Sequence, residues 1–147
     1  MDGLIELDER LHIFTRPPNE ADVRDLSRAG MRSVVNLRAP GEAGEVLAPD
    51  TEGEEANRSG LAYRSFPVTP SDLNAGTASI ISAELEQLPA PIAIHCASGK
   101  RASLMALADW AYRHDASASK AAAKARAAGL KFSEADLQPL IERGARS

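Results

Sequence analysis

The stretch PIAIHCASGKRAS, Pro91–Ser103, decides how this chain is read. IAIHC reads as a short apolar strand. It runs directly into ASGKR, a small basic turn, and then into ASLMALADWAYRH, which has helical period and good helix formers. A strand-turn-helix unit aims the N–H groups of the turn and of the helix start at one point, and that point binds anions. The chain's only cysteine, Cys96, stands there. Positive potential of this kind favours thiolate over thiol, and a thiolate facing a bound oxyanion is a ready nucleophile. Ala97, Ser98, Gly99, Lys100 and Arg101 form the expected anion-binding loop, suited to phosphate or sulfate. Gly99 gives it freedom to curl, and Arg101 offers a planar fork for two anion oxygens. Ser98 and Ser103 can hydrogen-bond the thiolate or the loop carbonyls. His95 is expected below the cysteine, holding the loop through its ring nitrogens. A lone cysteine after an apolar strand is also a common packing residue, and His95 can equally be a satisfied core histidine. A basic, glycine-containing turn is not what a filler cysteine needs, so the loop is read as a reactive site.

Outward from this unit, strands and helices alternate. LHIFTRPP is a strand ending at a double proline. Asn19 caps a helix through about Ala29, with Val23 and Leu26 inward and Gly30 as the stop. SVVNL, Ser33–Leu37, is a β-branched strand, followed by the Gly/Pro-rich loop RAPGEAGEVLAPD. A polar helix is expected over Thr51–Ser59, closed by Gly60. LAYRSF alternates as a strand does and stops at Pro67; PVTPSDLNAG is a loop. Ala75–Leu88 reads as a helix burying Ile80, Ile81, Leu85 and Leu88. After the cysteine unit, Ser117 opens an Ala-rich helix ended by Gly129. Ser133 with Asp136 resembles a capping box for a last helix near Leu137–Arg143. The pattern predicts a three-layer α/β sandwich: a mostly parallel sheet of about four strands, helices on both faces. Ligands of such sheets bind beyond the carboxyl ends of the strands, where Cys96 lies.

The chain has 147 residues, 44% hydrophobic and 26% charged, with a formal net charge of -4. That suits one domain, 1–147, and gives no pull toward nucleic acid or a membrane surface. Most of the acid precedes Gly60, while the half carrying Cys96 is slightly basic, which suits a small anion; a solvated acidic face explains the asymmetry as well. One cysteine excludes an internal disulfide and any multi-cysteine metal site, and no cofactor is implied. A reducing compartment fits, MDGLIELDER lacks the layout of a secretory signal, and no run reaches the ~20 apolar residues of a membrane span. The expectation is a cytoplasmic protein. Oligomeric state is not legible.

HCASGKRAS resembles the signature loop of cysteine-dependent phosphatases, H-C-x-x-G-x-x-R-S/T. SVVNLRAPGE, GLAYRSFPV and PAPIAIHCASGKRASLMALADW extend the likeness, over roughly residues 10–130, to the bacterial beta-lactamase-hydrolase-like phosphatases, relatives of the dual-specificity and tyrosine phosphatases. The resemblance implies a phosphomonoester hydrolase, with Cys96 attacking phosphorus to form a cysteinyl-phosphate. Arg101 and the loop amides would hold the equatorial oxygens. The substrate would be a phosphorylated small molecule or a phosphoprotein. Such enzymes carry a general-acid Asp on a loop N-terminal to the cysteine. Asp72 in PVTPSDLN is the only acid between Gly60 and Glu84; a turn or cap role suits it equally. Glu42 could pair with and orient Arg101, as a carboxylate does in this superfamily. Arg38 could neutralise substrate or pair with a nearby acid.

One feature departs from the signature. Four residues, Ala97–Lys100, separate Cys96 from Arg101, and Ala102 stands where the wider signature has its arginine. The short Cys-x4-Arg loop also resembles that of rhodanese sulfurtransferases, whose cysteine carries a persulfide and needs no acid. Members of the bacterial family joined to persulfide-oxidising domains add to that alternative. A non-catalytic anion-binding module is the third reading.

Overall fold

The computed structural model describes residues 1–141. Its centre is a five-stranded sheet in the order β1-β2-β5-β3-β4. The strands are β1 Leu4–Glu6, β2 Leu11–Phe14, β3 Ser33–Asn36, β4 Ala62–Ser65 and β5 Ile92–His95. β2, β5, β3 and β4 are mutually parallel, and β1 alone runs antiparallel, on the edge beside β2. The sheet therefore has five strands rather than about four. β1 is only three residues long and half-exposed, so it lacks an apolar signature. Its turn is set by Asp8, whose carboxylate accepts the N–H groups of Arg10 and Leu11, both at 2.9 Å.

The helices divide between the two faces. α1 Glu20–Arg28 and α2 Pro49–Arg58 pack with Phe14, Val34 and Ala93 on one side. α3 Ala75–Glu86, α4 Lys100–His114, α5 Ala118–Ala127 and α6 Glu134–Ile141 cover the other, around Ile13, Ile92 and Ile94. Side chains alternate along a strand, so Ile92, Ile94 and Cys96 face the α3–α6 side. Ala93 packs toward α1 and α2.

Local chemistry sets the helix ends. At α1 the Asn19 side chain accepts the Asp22 N–H at 2.8 Å while Asp22 accepts the Asn19 N–H at 3.0 Å, a reciprocal cap. Pro49 fits the first turn of α2, where its missing N–H costs nothing. α3 turns Ala78, Ile81, Ser82 and Leu85 inward. Ile80, expected among them, is 57% exposed, because it lies ~100° around the helix from Ile81. Ser133 and Asp136 do form their reciprocal pair, but α6 begins directly after Ser133, at Glu134. The expected end at Arg143 lies outside the described residues. Among those residues no helix is long and apolar enough to cross a membrane.

α4 starts at Lys100, two residues earlier than its apolar period suggests, and is buried from Ala102 to Asp109. It runs through the middle of the α3–α6 layer. β5 lies between β2 and β3, so the turn from β5 into α4 leaves the sheet at its centre.

Candidate active site

The turn after β5 is tight because Gly99 adopts φ 95°, the left-handed region. A Cβ on Gly99 would also stand 3.4 Å from the Thr15 Cα. This geometry folds the loop back over Cys96. The Cys96 Sγ then accepts two backbone N–H groups, from Gly99 at 3.2 Å and from Ala102 at 3.4 Å. Both belong to the N-terminal end of α4, where unpaired amides gather positive potential. Cys96 is 1% exposed. Lys100 and Arg101, expected in the loop, form the first turn of α4 instead. Cys96, Ala97, Ser98 and Gly99 are thus all that bridges strand and helix.

Arg101 is held from two directions. Its Nη1 donates to Glu42 Oε2 at 3.0 Å and to the Val68 carbonyl at 2.8 Å, and its Nη2 donates to Glu42 Oε1. This is a bidentate end-on pair. It leaves the Nε–H and the second Nη2–H, neighbouring donors along one edge of the guanidinium, for a further anion. The pair shifts both partners. Glu42 is lowered to about 2, chiefly by the Arg101 hydrogen bond, with burial opposing and the Ala39 N–H assisting. Arg101 is raised, first by Glu42, with burial opposing and the charge of Cys96 adding.

The sign of this linkage is definite. Glu42 is depressed in the folded chain, so the stability it contributes is complete above the ordinary carboxylate value of 4.5 and is lost as pH falls toward about 2. A Glu42→Gln variant is therefore expected to melt below the parent by a constant margin above about pH 5. That margin should close between 4.5 and 2, in thermal unfolding across a pH series. A margin that widens on acidification would contradict the pairing.

Arg38 takes the second of its two expected roles. It is 3% exposed. Its Nη2 donates to the carbonyls of Glu42 at 3.2 Å and Ala43 at 2.9 Å, and its Nε lies 3.6 Å from Glu42 Oε1. It pins the loop that presents Glu42 to Arg101, and it is not available to meet substrate.

His95 is a core histidine, the second of its two expected readings, and not a brace for the loop. It points to the face opposite Cys96, and Nε2 lies 2.5 Å from Glu52 Oε2 on α2. His95 is 0% and Glu52 2% exposed. Its Nδ1 is buried without a partner, so the ring does not brace the loop. Beside it the Asn36 amide donates to the Tyr63 hydroxyl at 3.0 Å. Burial, then the Glu52 charge, raises Tyr63 so that it stays protonated. Gly53 makes room for that ring: a Cβ there would meet it at 3.0 Å. Glu52 is the residue that sequence reasoning missed. The available signal was the buried row Pro49, Glu52, Gly53, Ala56 at i, i+3, i+4, i+7, a helical stripe with one acid in it.

The serines do less than expected. Ser98 is exposed, and Ser103 is buried with its N–H bonded to the Gly99 carbonyl at 2.8 Å. Among the described residues, neither hydroxyl bonds the thiol. Asp72 ends a 3-10 turn, Pro70–Asp72, that follows the Val68 carbonyl bound by Arg101. Its carboxylate accepts the Thr69 N–H at 3.0 Å and the Thr69 hydroxyl at 2.8 Å, and these bonds lower it. Among the described residues Asp72 makes no hydrogen bond to the cysteine loop. No three His, Cys, Asp or Glu side chains there cluster so as to hold a metal.

Proteins similar to this chain are known. A beta-lactamase hydrolase-like protein of Xylella fastidiosa (strain Temecula1 / ATCC 700964) is 30% identical over 102 residues, covering 69% of this chain and 23% of the relative. The chain thus spans about a quarter of the length of that relative. A candidate phosphatase from Neisseria meningitidis superposes with a TM-score of 0.76 at 20% identity, covering 89% of this chain and 92% of that one. Tk-PTP in its active form gives 0.73 at 20% identity, covering 97% and 98%. These likenesses establish a shared fold. Residues 13–112 match the family described as "Beta-lactamase hydrolase-like protein, phosphatase-like domain", and the chain belongs to that family.

Proposed function

We propose that this protein hydrolyses phosphomonoesters through a cysteinyl-phosphate on Cys96. The observation that carries the reading is the convergence of the Gly99 and Ala102 amides on Sγ, with Arg101 oriented by Glu42 beside it. An incoming phosphoryl group takes over these amides and the free edge of Arg101 for its equatorial oxygens. Sγ attacks phosphorus, the P–O bond to the leaving group breaks, and its electron pair goes to that oxygen. Water then attacks the thiophosphate ester, releasing phosphate and restoring the thiolate. The substrate is a phosphorylated small molecule or phosphoprotein, and phosphate or sulfate binds the same loop.

Asp72 is the general acid in this reading. Its Thr69 bonds keep the carboxylate ionised, the opposite of what an acid needs. Substrate binding therefore has to exchange Thr69 for the leaving oxygen. Asp72→Asn is expected to lower kcat about 10²-fold on phenyl phosphate, whose leaving group needs the proton. The loss should be far smaller on 4-nitrophenyl phosphate. Equal rates for parent and variant on both would remove Asp72 from the mechanism.

The deciding assay pairs phosphate release from 4-nitrophenyl phosphate with thiocyanate formation from thiosulfate and cyanide. Turnover of the first, inhibited by vanadate, supports the reading. A persulfide on Cys96 with thiocyanate formation and no phosphate release would replace it with sulfur transfer.

A further inference from the structure

Beside the cysteine loop lies a groove of about 560 Å³. Leu73, Leu104, Phe132 and Leu140 form its apolar walls, with Lys100 and Lys131 along it. Its position ties it to the chemistry. Lys100 opens α4 immediately after Gly99, and Leu73 follows Asp72 in the chain. The groove thus borders the start of the helix that follows the anion loop and the residue that follows Asp72. A leaving group departing from phosphorus on Cys96 would have this groove beside it.

The lining indicates what that group is. Ligand sites of about 300–1,000 Å³ hold molecules larger than one ring, and a lone phenyl group would leave most of this groove to water. Phe132 is half-buried and Leu104 and Leu140 are buried, so the walls are packed rather than loose. The charge is lopsided. Among the described residues Asp136 is the one acid lining the groove, and its carboxylate accepts the Ser133 N–H at 2.9 Å in the cap of α6. Lys100 opens α4 beside the loop, where it would balance a bound phosphoryl group. Lys131, between α5 and α6, has no such duty and offers a second cationic point at the edge of an apolar wall.

We propose that this groove is the leaving-group subsite, and that it selects aryl phosphates whose leaving group exceeds one ring and carries a second negative charge. The proposal rests on the hydrolase reading of Cys96, and adds Lys131 and Phe132 as specificity-determining residues.

The test compares phenyl phosphate, 2-naphthyl phosphate and 6-carboxy-2-naphthyl phosphate as substrates. Parent, Phe132→Ala and Lys131→Glu proteins are assayed on each. Each variant is referred to the parent on the same substrate, so intrinsic leaving-group reactivity cancels. Phe132→Ala is expected to lose about tenfold more kcat/KM on the two naphthyl esters than on phenyl phosphate. Lys131→Glu should lose about tenfold more on the carboxylated ester than on the plain naphthyl ester. Equal losses across the three substrates, or none, overturn the proposal. Binding of 6-carboxy-2-naphthyl phosphate to Cys96→Ser protein, followed by naphthalene fluorescence, is measured in the same variant backgrounds. Absence of phosphate release from all three esters by the parent counts against the hydrolase reading alone. In that case weaker binding in the Phe132→Ala and Lys131→Glu backgrounds upholds the groove, and unchanged binding overturns it.

Discussion

Serine at position 96 is expected to cut phosphate release from 4-nitrophenyl phosphate by on the order of a thousandfold or more, the scale on which removal of a catalytic nucleophile acts. The exchange is nearly isosteric, and the Gly99 and Ala102 amides that meet Sγ would meet the hydroxyl oxygen instead. Anion binding therefore survives, because the amides and Arg101 are untouched. What disappears is the polarisable, readily ionised atom that bonds to phosphorus. Two measurements separate these terms: kcat by phosphate release, and phosphate affinity by calorimetry. A variant that binds phosphate and retains more than a tenth of the parent rate would show that Cys96 does not attack phosphorus.

Glu52→Leu is the substitution expected to cost most stability, about 1–3 kcal/mol, the range for leaving a buried hydrogen-bonding group without its partner. Against a total of about 5–15 kcal/mol for a domain of this kind, that is a substantial share. The reason is local. Glu52 and His95 are both shut away from water and face each other across the α2–β5 contact, so the lost carboxylate leaves the His95 ring with neither nitrogen paired. Replacing both, as Glu52→Leu with His95→Leu, should recover much of the loss, because no polar group is stranded. Urea unfolding of the parent, both single variants and the double variant gives the coupling directly. A loss under about 1 kcal/mol for Glu52→Leu would mean that the pair does not fasten α2 to the sheet.

The parts legible in the sequence were those with a local cause. The four parallel strands were marked by short β-branched or apolar runs, and α1 by Asn19 and Gly30 at its ends. The Arg101–Glu42 pairing, expected from family likeness, is present. What stayed hidden depended on distant partners. Arg38 had two open roles until the carbonyls of Glu42 and Ala43 were seen around it. Glu52 could not be told from Glu54 and Glu55 by residue type, since only the stripe with Gly53 and Ala56 turns it inward. His95 could not be assigned to a face without its strand register, which sends it away from the thiol that follows it. The α4 start was misplaced because Lys100 and Arg101 carry no apolar signal, and the helix begins on Gly99 geometry instead.

The early start of α4 bears on the spacing from Cys96 to Arg101. Once residue 100 is helical, each further step turns the side chain by ~100° and advances it ~1.5 Å. Position 101 faces Glu42 and the Val68 carbonyl, whereas position 102 is at 0% exposure among core side chains. An arginine moved there, to match the wider signature, would direct its charge into the α3–α6 layer and leave Glu42 empty. The interval between nucleophile and arginine is therefore a phase relation, set by where the helix begins. Loop length and helix start can only change together.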